Sequence, residues 1–221
     1  MQLSKQSLDI AKNFANINSN FLIVPGKIQK TISGSKDIMA EIEFLEDFPK
    51  EAGIYNMNEF LGVVSLFEKP EFDFDDKFVT ISEGKNTIKY VYSDASLLTV
   101  PPAKQFVMPT PEVVLDMSVE HLQKMQKASS ALSVYDVALI GNGDRVTAKI
   151  FDVRNPTSNS FDLDLGTETS DTFEVYFKLD KLAKLYPGSY NLSISSKKIS
   201  KFVHKDIKLT VYVAVESNSK F

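Results

Sequence analysis

The chain has no cysteine, which excludes disulfides, thiolate metal sites and thiol nucleophiles. It has two histidines, His121 and His204, which leaves little for imidazole catalysis or metal binding. Arginine is nearly absent as well. Arg145 and Arg154 are the whole supply, so bidentate reading of base edges is not expected. No apolar run approaches the ~20 residues that span a bilayer. The opening Met1-Gln2-Leu3-Ser4-Lys5 carries no apolar leader segment. These absences predict a cytosolic protein with no membrane partner. None of the nine glycines sits in a phosphate-cradling loop, and Gly141-Asn142-Gly143 reads as a hairpin turn.

What remains is an ordinary globular composition over 221 residues, 43% hydrophobic and 24% charged. That length suits one large domain or two small ones. Net charge is −4, from 25 basic and 29 acidic residues, which argues against a generally basic nucleic-acid binder. A segregated basic face is still compatible with that total.

Ser4 reads as the cap of a helix to Ile17, with Leu8, Ala11, Phe14, Ala15 and Ile17 on one arc. Lys5, Lys12 and Asn16 fall on the opposite side. Phe21 to Val24, Pro25-Gly26 and Lys27-Ile28 read as a hairpin. Ile38, Ala40, Ile42 and Phe44 alternate with Met39, Glu41 and Glu43, the pattern of a half-buried strand. A second helix is predicted from Asn56 to about Phe67, with Asn56 and Glu59 as a capping pair and no lysine within it. Three short antiparallel strands follow, up to Tyr92.

The second half repeats this order. Ser118 caps a helix to about Leu132, with Leu122, Met125 and Leu132 opposed to Lys124 and Lys127. Strands follow, then a short helix predicted over 179–186 that sets Leu182 and Leu185 against Lys181 and Lys184. Residues 190–194 and 207–215 are the closing strands. The reading is an α+β chain of two similar domains with antiparallel sheets, 1–100 and 118–221, joined by a proline-punctuated connector over 101–117. The connector region is too apolar for a free linker. Its residues Leu98, Val100, Pro101, Phe106 and Val107 are the candidate dock for a partner's hydrophobic peptide, in a groove between the domains.

No catalytic constellation emerges. Glu71, Asp73, Asp75 and Asp76, and the pair Asp162 and Asp164, look like solvated strand and turn positions, so no metal site is expected. Both histidines read as surface residues. The series Lys197, Lys198, Lys201, Lys205 and Lys208 reads as a solvated hairpin, with a DNA-side loop as the alternative. By contrast, lysines oppose the apolar stripe in three of the four predicted helices. A surface lined by those helices would be positive in an acidic protein and would suit phosphate backbone held without base contacts.

Several segments resemble one family. Met1 to Lys5 followed by Lys12-Asn13-Phe14-Ala15-Asn16-Ile17-Asn18-Ser19, Ile54 to Gly62, Pro187 to Leu192, and Tyr212 to Phe221 are similar in order and spacing to the sliding clamps, or DNA polymerase processivity factors, of T-even-type bacteriophages. The resemblance spans the whole chain. It implies the DNA-clamp fold, in which a homotrimeric ring has sheets outside and helices lining a hole for duplex DNA. On that basis Lys5, Lys12, Asn16, Lys124, Lys127, Lys181 and Lys184 face the DNA, with Asp9, Glu59 and Glu120 nearby. It also implies no catalysis and no cofactor. The implied partners are a DNA polymerase, an ATP-dependent clamp loader and late-transcription factors, in the cytoplasm of an infected bacterium. The alternative from another class is a duplicated β-rich phage structural or assembly protein. A hydrolase built on Asp73 with Asp75, or Asp162 with Asp164, lacks a base and a pocket signature.

Overall fold

Ser4 opens the first element, its hydroxyl accepting from the Ser7 amide at 3.1 Å. In this computed structural model, which describes residues 1–104 and 106–221, helix α1 runs Lys5–Ile17. It buries Ser7, Ile10, Phe14 and Ile17, a stripe of helical period, and leaves Lys5, Lys12 and Asn16 exposed. The stripe packs on strands β2 (Gly26–Ile32) and β3 (Ile38–Phe48), where Ile38, Ala40, Ile42 and Phe44 are buried as their alternation predicts.

The hairpin predicted after α1 does not form. Strand β1 (Phe21–Ile23) pairs antiparallel with β4 (Ala52–Ile54), while β2 pairs with β3. Gln29 of β2 has a fully buried side chain. Its Oε1 accepts from the Val24 amide at 2.9 Å, and its Nε2 donates to the carbonyls of Val24 at 2.7 Å and Gly26 at 3.0 Å. One amide side chain thus satisfies three backbone groups of the turn that separates β1 from β2. Helix α2 is Met57–Val64, and the Asn56 side chain accepts from the Glu59 amide at 3.2 Å. It stops short of Phe67 because the amides of Leu66 and Phe67 bond three residues back, to Val63 and Val64, in a tightened last turn. Strands β5 (Glu71–Phe74), β6 (Phe78–Glu83) and β7 (Asn86–Val91) then form a three-stranded antiparallel sheet.

The chain divides into two compact units, Met1–Gln105 and Phe106–Phe221. The second opens with β8 (Val113–Met117), a strand within the segment predicted as connector, which pairs antiparallel with β13 (Tyr190–Ser195). Helix α3 is Val119–Leu132. Strands β9 (Asp136–Asn142) and β10 (Arg145–Phe151) turn at Gly143, whose φ is +84°. With β11 (Phe161–Glu168) and β12 (Thr172–Lys178) they give the order β11-β10-β9-β12. Helix α4 is only Leu179–Leu182, because the amides of Lys184 and Leu185 again bond three residues back. Strands β14 (Ile199–His204) and β15 (Leu209–Ala214) complete an antiparallel run with β13. β14 lies inside the predicted solvated hairpin, because Ser200 and His204 share its buried face with Phe202.

Both units, the second after β8, run through a helix, four strands, a helix and three strands, in that order. The β1–β4 pair matches β9–β12, and β2–β3 matches β10–β11. Gln2 bridges Glu71 at the start of β5, as β8 lies along β13. After the last strand of each unit the chain returns to the outer edge of the fourth. Ser93 N donates to Gly53 O at 2.9 Å, and Glu216 N donates to Tyr176 O at 3.0 Å. A methyl group at Gly53 would lie 2.3 Å from the Ser93 carbonyl oxygen, so this return needs a glycine.

Candidate functional site

In the first unit Lys5, Lys12 and Asn16 are exposed along α1. Lys12 stands 3.5 Å from Asp9, an exposed pair worth little in water. α2 offers no lysine there; its exposed residues include Asn58, Glu59 and Gly62, with Ser65 exposed at its C-cap. In the second unit Lys124 and Lys127 are exposed, three residues apart on one face of α3. The capping box of α3 includes His121, whose Nδ1 accepts from the Ser118 amide at 3.3 Å while the Ser118 hydroxyl caps the His121 amide at 3.1 Å. Burial, then the Lys124 charge, push the His121 pKa down, which favours the neutral ring this bond requires. Glu120 is exposed beside it. Its own amide and the Ser118 hydroxyl hold its carboxyl below the usual range.

The α4 lysines differ from these. Lys184 is half-buried. Lys181 has a side chain only 16% exposed and forms an ion pair with Glu216 at 2.9 Å, thirty-five residues on. The basic series beyond α4 disperses too: Lys205 pairs with Asp116 at 2.9 Å, and Lys198 donates to the Ser219 carbonyl at 2.5 Å.

The acidic and histidine residues with chemical potential stay apart. Glu71 and Asp73 point outward from β5, and Asp76 pairs with Lys50 at 2.6 Å. The Lys50 hydrogen bond holds the Asp76 carboxyl below its ordinary value. Asp162 and Asp164 point outward from β11, with Asp164 3.6 Å from Arg145. Among the described residues no cluster of three or more acidic, histidine or cysteine side chains could hold a metal. His204 is not a surface residue but is buried. Its Nδ1 accepts from the amides of Asp206 at 3.0 Å and Ile207 at 3.3 Å, which leaves Nε2 to donate to Pro187 O at 3.2 Å. A methyl group at Gly188 would lie 2.0 Å from that Nε2, so His204 pins the Pro187-Gly188 turn.

The apolar connector residues divide between the units. Leu98 is buried and Pro101 half-buried, while Val100 is 42% exposed. Two asparagines that sequence reasoning passed over fix the chain here. Asn20 Oδ1 accepts from the Thr99 amide at 2.9 Å, and Asn18 Nδ2 donates to the Thr99 carbonyl at 3.0 Å. Their signal was the polar run Asn18-Ser19-Asn20 between a helix and a strand. In the second unit Phe106 packs edge-on against Tyr212 of β15 at 4.8 Å, and Val107 is 78% exposed.

Two repeated α+β units, each with its helices on antiparallel sheets, define the DNA-clamp fold. The chain superposes on the proliferating cell nuclear antigen of Thermococcus kodakaraensis with a TM-score of 0.70 at 12% identity, covering 98% of this chain and 99% of that one. For the DNA polymerase III beta sliding clamp of Bartonella birtlesii the TM-score is 0.73 at 13% identity, covering 98% and 64%. The DNA polymerase processivity factor family matches residues 4–98. The sliding clamp of Vibrio phage KVP40 is 28% identical over 224 residues, 98% of this chain and all of that one. That of Enterobacteria phage T4 is 27% identical over 205 residues, 89% and 88%. The chain is thus similar over its whole length to phage sliding clamps and, over residues 4–98, to the DNA polymerase processivity factors.

Proposed function

We propose that three copies of this chain close into a ring around duplex DNA and tether the replicative polymerase. The observation that carries this reading is the repetition of an exposed lysine face on the leading helix of each unit, Lys5 and Lys12 on α1 and Lys124 and Lys127 on α3. Lysine suits a sliding contact, because a point charge on a flexible stem does not lock onto one phosphate, and counterion release supplies affinity without sequence. Asn16 and Lys184 extend these faces. Lys181, held by Glu216, contributes mainly to structure.

Closure of the ring runs head to tail, which a cyclic trimer requires. β7 and β11 are end strands of their sheets with complementary outward faces, Lys89 on one and Asp162 and Asp164 on the other. A solved beta clamp of Helicobacter pylori is bound to a DNA ligase peptide. By analogy, a hydrophobic peptide of the polymerase docks on this chain beside Val100 and Val107. An ATP-dependent loader opens the ring, late-transcription factors use the same kind of dock, and all of this takes place in the cytoplasm of the infected host.

The test is retention on DNA. The loaded protein stays on nicked circular DNA and runs off once the circle is cut. Replacing Lys124 and Lys127 by Glu shortens its lifetime on the circle. The slope of log affinity against log salt falls by about 0.9 for each phosphate that is no longer neutralised. Equal dissociation from circular and linear DNA would rule out encirclement.

A further inference from the structure

An unpaired strand edge is a template for another chain. β12 is an end strand of its four-stranded sheet, yet its outer edge is closed by the segment that follows β15. Glu216 N donates to Tyr176 O at 3.0 Å, and Tyr176 N donates to Ser219 Oγ at 2.9 Å. Glu174 N donates to Lys220 O at 3.0 Å, and Lys220 N returns to Glu174 O at 2.8 Å. The side chains fasten this segment from both sides. Glu216 is held by Lys181 at 2.9 Å, and Lys220 lies 3.5 Å from Glu174. Lys198 bonds the Ser219 carbonyl and lies 5.2 Å from the centre of the Phe221 ring. Ser219 is buried, while Ser217, Asn218, Lys220 and Phe221 are exposed. At the opposite edge of the sheet, among the described residues, no strand lies beyond β11.

We infer that residues 216–221 form an edge-closing strap that withholds β12 from pairing and leaves β11 as the edge this sheet offers to a second copy. The first unit applies the same device at the equivalent strand, where Ser93 closes β4 at Gly53. The second strap is longer and more exposed, and is held by three lysines that come from α4, β14's turn and the strap itself. In a chain that assembles through strand edges, two open edges on one sheet would allow the wrong one to pair, giving open chains of copies instead of a closed ring. The strap removes that choice. This consequence for assembly rests on the trimer reading, but the closure of β12 does not.

Two full-length variants and one truncation test it. Lys220→Pro removes the amide that bonds Glu174 O, and Ser219→Ala removes the acceptor for Tyr176 N; the truncation lacks residues 217–221. Hydrogen exchange at the Glu174 and Tyr176 amides is read against Leu139 of β9, a buried internal control. The truncated chain is expected to exchange at Glu174 and Tyr176 at least tenfold faster with Leu139 unchanged. Sedimentation velocity should then show species larger than the parent's oligomer, growing with concentration. If the truncated chain does not fold, Lys220→Pro and Ser219→Ala give the same readouts in smaller measure. Unchanged exchange at both amides overturns the strap. Faster exchange with no larger species overturns its role in assembly. A parent protein that stays monomeric contradicts the trimer reading, and the exchange data still decide the strap.

Discussion

Glu46 joins the start of α1 to β3. Its carboxylate accepts from the Ser4 amide at 2.6 Å and from the Ser7 hydroxyl at 2.5 Å, so a negative charge sits where the helix dipole favours one. Burial pushes the Glu46 pKa up, but the hydrogen bonds from Ser7 and Ser4 outweigh it and hold the carboxyl below the ordinary glutamate range. A carboxyl whose folded pKa is depressed stabilises the fold above its unfolded value and loses that contribution as pH falls through the folded one. Glu46→Gln is therefore expected to be less stable than the parent at pH 7, with the gap narrowing as pH falls from about 5 toward 3. Urea midpoints across that range measure it, and a gap that stays constant with pH would remove the charge from the explanation. None of this was legible beforehand, because Glu46 lies in a stretch of alternating acidic residues and nothing local distinguishes it from Glu43.

At the scale of elements, the connector shows how far composition carries. Its apolar content predicted that it packs, and it does so in pieces. Leu98 is buried near Gly53, Thr99 is pinned by two asparagines, and Phe106 lies on Tyr212. Val100 and Val107 remain exposed, and they are the anchors we assign to the partner peptide. Val100→Asp and Val107→Asp should each weaken binding of the polymerase's hydrophobic peptide about tenfold, roughly 1.4 kcal/mol, without altering the oligomer. Fluorescence anisotropy with labelled peptide, on variants checked for assembly, is the measurement. Undiminished binding in both would move the dock elsewhere. The short α4 belongs to this scale too. Its lysines kept the helical spacing, but the backbone tightened after one turn, and Lys181 turned to an acid on the strap.

For the whole molecule the question is how copies meet. Thr87, Lys89 and Val91 face outward on β7, and Asp162 and Asp164 face outward on β11, so an antiparallel pairing sets opposite charges across the seam. Lys89→Glu should weaken self-association, and so should Asp164→Lys. A double variant carrying both changes should recover most of it. Sedimentation equilibrium at two salt concentrations reads the result. A double variant no better than either single one would sink the β7–β11 assignment.

Local chemistry was readable from the residues alone. Ser4, Asn56 and Ser118 start helices because a cap bonds an amide three residues on, a contact that needs no distant partner. Ile38 to Phe44 alternate because a strand has period two, and the repeated order of elements followed from those periods. The lack of catalytic groups was equally a matter of inventory. Tertiary structure alone decided that β1 pairs with β4 and not β2, that Gln29 and His204 are buried, that Lys181 meets Glu216, and that β8 lies on β13. In each case the deciding partner is a backbone group or side chain outside the window that sets local periodicity. A polar side chain stays in water unless the folded chain presents unpaired donors and acceptors at the right place, and only the assembled unit does that.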